Sequence, residues 1–379
     1  MIKILHIITA SEQNKGVGGA ETLLLAMLKE INRDLFKFVI AYSSKGPLIK
    51  EFIEAGADVV PFDTYSQLDL MAIKKLIDLI RIKDVNLIHS HQPRFDFLAC
   101  IAAKITKTPF IFTRHLSISE SPINKVKKII FLMVDKLVTV RLADKIISAS
   151  KSIADDLIQK ENASKEKSMV IYAGLDLKVY DKYIEIGKIR KEFSIDSEVP
   201  LVGMIGRINA QKAHQYLLQA ATEVIRGIPN AKFLIVGDGP LRKKQEKLAE
   251  DLGINTHIIF TGQRKDIPEI MADMDIAALS SLTEALAVVN LEAMVMRKPV
   301  VSFDVGGVAE LVVDNETGFL IISKDTRAFA NAIINLIKDK DKAKKMGIAG
   351  RKRVEENFTL ELMVKKHEEL YSSILKPDL

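Results

Sequence analysis

The sequence predicts an α/β protein made of two doubly wound, Rossmann-like domains. Short β-branched or apolar runs alternate with longer helix-period segments from the first residue almost to the last, the pattern of parallel sheets covered on both faces. The chain has 379 residues, and at roughly 100–200 residues per domain that length favours two cores. Its composition, 48% hydrophobic and 27% charged with only 11 Pro and 19 Gly, excludes disordered, collagen-like and low-complexity classes.

In the first half, strands are expected at Ile2–Ile8, Phe36–Tyr42, Asp58–Pro61, Asn86–Ser90, Pro109–Thr113, Lys145–Ala149 and Ser168–Tyr172. In the second half they are expected at Leu201–Gly206, Lys232–Gly237, His257–Thr261, Asp275–Leu279, Pro299–Phe303 and Phe319–Ile322. Each is a run of strand length next to a helix-period segment, so each half carries its own sheet. Between the halves, residues 180–200 are charged, weakly periodic and end in Ser-Glu-Val-Pro, which reads as an interdomain link and hinge. The domains are therefore placed at 1–185 and 195–359. Beyond about Ser323 the strands stop, and Lys-rich helical pattern such as Lys338–Lys345 and Arg351-Lys352-Arg353 reads as solvated helix face. The strand carboxyl ends of the two domains should line a cleft between them, where open α/β sheets bind ligands.

The apolar run Ile129–Val134 is far short of the ~20 residues of a spanning helix. The N-terminal apolar run is too short for a signal peptide and has no small-residue cleavage site, so a cytoplasmic location is expected. Cys100, alone in the chain, sits in the apolar segment Phe97–Ala102 and reads as a buried core thiol. Fifty-five Lys and Arg against 49 Asp and Glu leave +6, which favours anionic partners without reaching a nucleic-acid-binding surface.

Gly16-Val17-Gly18-Gly19-Ala20-Glu21 lies between the first strand and the helical pattern Thr22–Ile31. Glycines there let the Gly18 and Gly19 amides approach an anion at a helix N-terminus, where the dipole is positive. A dinucleotide fingerprint would need glycine where Glu21 stands, and a tighter turn than the loop from Ile8 to Gly16, which disfavours a nicotinamide dehydrogenase. Gly237-Asp238-Gly239-Pro240-Leu241-Arg242 fails the same test at Arg242, and no Gly-Lys-Ser/Thr P-loop occurs. A tight βα turn explains either cluster without a ligand.

The second half carries the stronger constellation. Gly206-Arg207-Ile208-Asn209-Ala210-Gln211-Lys212 follows a strand and sets two cations in a βα loop, where they can clamp a pyrophosphate; a solvated basic loop is the plain alternative. In Ser281–Met294, Glu284 lies in a loop while Glu292, eight positions on, sits about two turns into a helix. Two carboxylates at different depths beside helix-N-terminal amides can grip a sugar at one end and a ribose at the other, with a diphosphate at the amides. Ordinary helix-end and i,i+4 roles explain each glutamate alone.

These residues carry a resemblance. Glu284-x(7)-Glu292, Gly206-Arg207 with Lys212, Val236-Gly237-Asp238-Gly239-Pro240, Thr261-Gly262-Gln263-Arg264-x-Asp266, Lys298-Pro299-Val300-Val301 and Val305-Gly306-Gly307-x-x-Glu310 resemble the retaining, family-4 glycosyltransferases of the GT-B fold. Gly18-Gly19-Ala20-Glu21, His89-Ser90-His91, Thr113-Arg114-His115 and Ala173-Gly174-Leu175-Asp176 fit the same family in the same order. The resemblance spans essentially the whole chain, and its ordered set of motifs is far more specific than any one of them. It implies that the second domain binds a nucleotide-diphosphate-sugar, a UDP-sugar being favoured, and that the first binds the acceptor. Arg207 and Lys212 would neutralise the diphosphate, Glu292 would bind ribose hydroxyls, and Glu284 with amides near Leu286, Ala287 and Val288 would hold the donor sugar. Gly18, Gly19 and Gly239 would bring backbone close to the donor, and His115 would touch the sugar from the acceptor side. The resemblance also implies a final helix, about 360–379, that crosses back onto the first domain. The chain departs from the family at Ala213 and His214, where Gly is usual, and at Ala285 and Ala287, where Gly and Pro are usual.

Breaking an anomeric bond develops negative charge on the diphosphate, so preorganised cations and dipoles there supply much of the rate. No metal or other cofactor is expected: Asp273-Met274-Asp275 has a metal-binding spacing but begins a strand and reads as structural. A double displacement would need a carboxylate beneath the anomeric carbon; the family suggests same-face attack instead, with a donor phosphate oxygen taking the acceptor proton. His115 reads as a positioning residue, and His89 and His91 as weaker candidates. Lys125 through Val134 joins a basic cluster to an apolar helix-period run that could rest on the inner face of a membrane and reach a lipid-linked acceptor; core packing explains it nearly as well. The expected pathway is cell-envelope polysaccharide or lipopolysaccharide assembly on a glycan or lipid-linked acceptor, with no nucleic-acid partner. The alternatives are a GT-B sugar-nucleotide epimerase and a non-catalytic sugar-nucleotide-binding subunit.

Overall fold

The computed structural model describes residues 1–10, 18–64, 69–115, 133, 135–182 and 186–375. The chain forms two compact units, Met1–Gly174 with Leu360–Leu379 and Leu175–Thr359. In unit 1, β1 (Ile2–Ile7), β2 (Phe36–Tyr42), β3 (Asp58–Pro61), β4 (Leu87–Ser90), β5 (Phe110–Arg114), β6 (Lys145–Ser148) and β7 (Ser168–Val170) form a parallel sheet in the order β3-β2-β1-β4-β5-β6-β7. In unit 2, β8 (Leu201–Ile205), β9 (Lys232–Val236), β10 (Ile258–Gly262), β11 (Ile276–Leu279), β12 (Val300–Phe303) and β13 (Gly318–Ile321) form a second one in the order β10-β9-β8-β11-β12-β13. Both are doubly wound: the order reverses between β1 and β4, and again between β8 and β11.

The strands read as continuous apolar runs because both faces are covered. Ile4, Leu5 and Ile7 of β1 and Leu201, Val202 and Met204 of β8 are fully buried. The last helix, Leu360–Leu375, lays Leu360, Met363, Val364, Leu370 and Tyr371 into the core of unit 1 beside Leu24, Met27 and Leu28 of the helix Gly19–Glu30. Each such side chain contributes on the order of 1.5–3 kcal/mol, an upper bound set by the extended-chain reference.

The boundary differs from the one expected at 185–195. Unit 2 begins at Leu175, whose N–H donates to the Phe358 carbonyl at 2.9 Å, so the chain passes between units at 174/175 and 359/360. The stretch expected to be a hinge is anchored inside unit 2. Arg190 donates to the carbonyls of Asp273, Asp196 and Val199 and to the Asp275 carboxylate. Asp273 accepts from the Gly187 and Ile189 amides, and Asp275 also accepts from Leu201 N–H, so this acidic pair ties a loop to a strand. Cys100 is fully buried, and burial pushes its thiol up to about 12. Among the described residues no helix is long and apolar enough to cross a membrane. The segment Lys125–Val134 lies outside the described residues except for exposed Met133.

Candidate active site

In unit 2 the sequence-predicted residues meet at the carboxyl ends of β8 and β11. Gly206 leaves β8 with φ +154°, and the loop to Lys212 is held by Asn209, whose side-chain oxygen accepts the Lys212 N–H at 2.9 Å. Lys212 Nζ donates to Glu284 Oε1 at 2.6 Å, with the two side chains only 18% and 8% exposed. Two further bonds lash these loops together: Leu282 N–H to the Gln211 carbonyl at 2.8 Å, and Gln211 Nε2 to the Thr283 carbonyl at 3.1 Å. Arg207 stands differently. It is exposed and has no carboxylate partner among the described residues, so its guanidinium is available to an incoming anion.

Glycine is required where these loops press backbone to backbone. A Cβ on Gly237, whose φ is +133°, would lie 2.1 Å from the Gly206 carbonyl oxygen, and one on Gly239 would lie 2.3 Å from that of Ile208. The Gly239 N–H is turned to the Asp238 carboxylate at 2.7 Å. A Cβ on Gly306, φ +53°, would lie 1.9 Å from the Glu284 carbonyl oxygen, which also accepts Gly307 N–H at 3.2 Å. Gly306 and Gly307 therefore back the loop that carries Glu284.

Past Glu284 come buried Leu286 and Ala287, then the helix Val288–Val295, in whose first turn Asn290 N–H already goes to the Ala287 carbonyl at 2.8 Å while the Val288 and Val289 amides precede the helical ladder. Glu292 lies on this helix and accepts from Tyr180 Oη at 3.0 Å. Burial raises the Glu292 carboxyl, with the Tyr180 hydrogen bond and Lys212 opposing. The Tyr180 hydroxyl was not legible as a site residue, because nothing in a residue 112 positions away marks it as Glu292's partner.

Ala213 and Ala287 adopt left-handed conformations, φ +49° and +50°. At Ala213 an L side chain costs roughly 1–2 kcal/mol in that region, a cost glycine does not carry. Ala213→Gly is expected to stabilise unit 2 by on the order of 0.5–1 kcal/mol after glycine's greater unfolded-state entropy is subtracted. The measurement is a melting curve, in which no rise or a fall contradicts the strain reading.

In unit 1, Gly18 precedes the helix Gly19–Glu30, and its N–H is taken by the Glu21 carboxylate at 2.9 Å. Buried Tyr42 donates its hydroxyl to the same carboxylate. Gly19 faces open space, with nothing within 4 Å of an added Cβ. His115 follows β5. Burial first, then His367 and Arg114, push its imidazole down to about 4, so it is neutral at pH 7, and its Nε2 has no hydrogen-bond partner among the described residues.

Beside His115 the structure assembles groups that sequence reasoning did not join. His6, His89 and His91 cluster at the ends of β1 and β4, with His367 and Tyr371 from the last helix packed on them. One signal was present: His6 is the polar interruption in an otherwise apolar central strand. Arg114, fully buried, pairs with Asp135 at 2.6 Å, Asp96 at 3.6 Å and Glu161 at 3.8 Å. Burial raises Asp96 to about 7 and Glu161 to about 8, each with Arg114 pulling the other way.

Comparisons with known proteins agree with this architecture. The model described as "Glycosyltransferase Family 4" matches residues 17–179, and "Glycosyl transferases group 1" matches 185–353. The chain is 24% identical over 383 residues to the capsular polysaccharide biosynthesis glycosyltransferase CapM of Staphylococcus aureus, covering 99% of this chain and 98% of that one. It is 26% identical over 308 residues to the UDP-Gal:alpha-D-GlcNAc-diphosphoundecaprenol alpha-1,3-galactosyltransferase of Escherichia coli, covering 80% and 79%. It is 29% identical over 236 residues to the N-acetyl-alpha-D-glucosaminyl L-malate synthase of Bacillus anthracis, covering 62% of this chain and 61% of that relative. The crystal structure of Anabaena Alr3699/HepE in complex with UDP superimposes with a TM-score of 0.86 at 25% identity, covering 98% of this chain and all of that one.

Proposed function

This chain belongs to the family-4 glycosyltransferases of the GT-B fold, and from that premise we propose that it transfers a sugar from a UDP-sugar to a glycan or lipid-linked acceptor in cell-envelope polysaccharide assembly, with retention at the anomeric carbon. The observation that carries the donor half of this reading is the pairing in unit 2 of a sequestered Lys212–Glu284 ion pair with an exposed Arg207 that has no carboxylate partner among the described residues. A diphosphate entering there meets two cations and the amides from Leu286 to Val288 that lead into the helix Val288–Val295, the preorganised charge that a departing nucleoside diphosphate needs. Glu284, held by Lys212, presents its second oxygen to sugar hydroxyls, and Glu292, oriented by Tyr180, offers a carboxylate to the ribose. These groups supply the charge stabilisation themselves, so the reading assigns no metal to the diphosphate. His115 of unit 1 is neutral and offers a hydrogen bond to a sugar hydroxyl. Polysaccharide assembly and the uridine nucleotide are supported by the names of the S. aureus and E. coli relatives and by the UDP held in the Anabaena structure. The inner membrane face, reached through Lys125–Val134, suits a lipid-linked acceptor.

The test is a thermal-shift panel of UDP-, GDP-, ADP- and dTDP-sugars on the full chain. A ligand at about 100 times its Kd stabilises the folded state by about 2.7 kcal/mol, so UDP-sugars are expected to raise the melting temperature and the other three to leave it unchanged. A shift confined to GDP- or ADP-sugars would overturn the uridine assignment. Accumulation of an epimerised sugar nucleotide from donor alone would move the reading to an epimerase, and the anomeric coupling constant of the product decides retention.

A further inference from the structure

The carboxyl ends of β1 and β4 meet where the strand order of unit 1 reverses, the position at which open parallel sheets take their ligands. Three imidazoles fill it. His6 stands opposite His89 in the β1–β4 register, and His91 follows one residue after β4. Each offers a ring nitrogen, and the three nitrogens lie within 4.8 Å of one another, all on buried side chains. His6 Nδ1 and His91 Nε2 are 2.9 Å apart and share one proton. His6 Nε2, on the other side of the ring, is buried with no hydrogen-bond partner among the described residues.

All three rings are buried, His6 and His89 at 0% and His91 at 6% exposed, and they pack on one another. Neutral imidazole is the form that ligates a metal. A set with only nitrogen donors is poorly matched to magnesium or calcium, which take oxygen, and well matched to zinc, cobalt, nickel or copper. Its surroundings also resemble those of a metal centre. Tyr371 Oη lies 2.8 Å from His89 Nδ1 and fixes that ring with Nε2 facing Thr113. Thr113 Oγ1, 2.7 Å from His89 Nε2, and the His6–His91 hydrogen bond hold the places the ion would take. A mostly apolar cavity of about 40 Å³ lies against one side of the cluster, and His91 is the member of the triad that lines it.

We propose that His6, His89 and His91 form a three-histidine site for a first-row transition-metal ion of the zinc, cobalt, nickel and copper group, separate from the donor-binding residues of unit 2. Its three residues all lie in unit 1.

The experiment strips the full chain with a chelator and titrates it with Co2+, reading bound metal by equilibrium dialysis and the visible spectrum. The expected result is one Co2+ per chain with the intense d–d absorption of a nitrogen-rich, four- or five-coordinate ion, displaced by Zn2+. His6→Asn and His91→Gln should each lose the spectrum, while His257→Gln in unit 2 should keep it. Should either cluster variant fail to fold, X-ray absorption of the zinc-loaded wild type counts the imidazoles around the ion without any variant. Substoichiometric binding, a cobalt spectrum that survives in the folded cluster variants, or a first shell of oxygen ligands would each overturn the proposal.

Discussion

Lys212→Ala is expected to lower kcat/KM for sugar transfer by about 10²–10³-fold, the usual loss when one preorganised group facing developing negative charge is removed, equivalent to roughly 3–4 kcal/mol. The effect should fall mainly on kcat, because the charge that Lys212 meets grows as the glycosidic bond breaks. The structure adds a second loss. Glu284, 8% exposed, has Lys212 as its ion-pair partner at 2.6 Å, and without the cation a nearly buried carboxylate stands where the sugar hydroxyls must bind. Lys212→Ala and Glu284→Gln should therefore be non-additive, the double variant being little worse than either single one. Arg207→Ala behaves differently: exposed and without a carboxylate partner among the described residues, Arg207 can be removed without leaving a buried charge, so the variant should melt like wild type and weaken UDP binding directly. Measured kcat and KM for the three single variants and the double variant check all of this. Near-wild-type turnover by both Lys212→Ala and Glu284→Gln would remove unit 2's ion pair from the mechanism.

The parts of the molecule legible in the sequence are those whose physics is local. Strands of a parallel sheet covered on both faces are short apolar runs, and the observed strands depart from the expected ones by one or two residues at their ends. Arg207, Lys212, Glu284 and Glu292 were legible because the first three lie in the loops that follow β8 and β11 and Glu292 in the helix after the second loop, so bringing them to one sheet end needs only that β8 and β11 be neighbours. What was not legible depends on chain crossings. The link near 180–200 reads as a hinge by composition, yet Arg190 and the Asp273–Asp275 pair fasten it into unit 2 through partners more than 80 positions away. The histidine cluster needs β1 beside β4 and a helix from the far end of the chain, since Tyr371 is 282 positions from His89. Local pattern also gives no sign that Arg114, within a family-like Thr-Arg-His motif, pairs inward with three acids.

Arg114→Met should cost unit 1 about 3–5 kcal/mol at pH 8, since removing one partner of a buried ionic cluster leaves uncompensated charge. The dependence on pH makes the prediction specific. With Arg114 present, one cation faces Asp135, Asp96 and Glu161, and the raised values of about 7 for Asp96 and about 8 for Glu161 let two of the three acids carry protons. A carboxyl whose folded pKa lies above its unfolded value contributes stability that is fully present below about pH 4 and is lost as pH rises through the folded value. These two groups should thus make the wild type less stable between about pH 4 and 8, the reverse of what salt-bridged carboxylates with lowered values do. Taking Arg114 away raises both values further, because Arg114 was the influence pulling them down, so the variant's deficit should shrink at pH 5, where the acids are protonated, and grow towards pH 8. Burial of the Met side chain keeps the site filled, so the deficit that remains at low pH reports lost hydrogen bonds and the stacking of the guanidinium 4.9 Å from the Phe112 ring. Urea unfolding of wild type and variant at several pH values measures the difference directly. A deficit that is constant from pH 5 to pH 8 would show that Arg114 does not act through the protonation of Asp96 and Glu161.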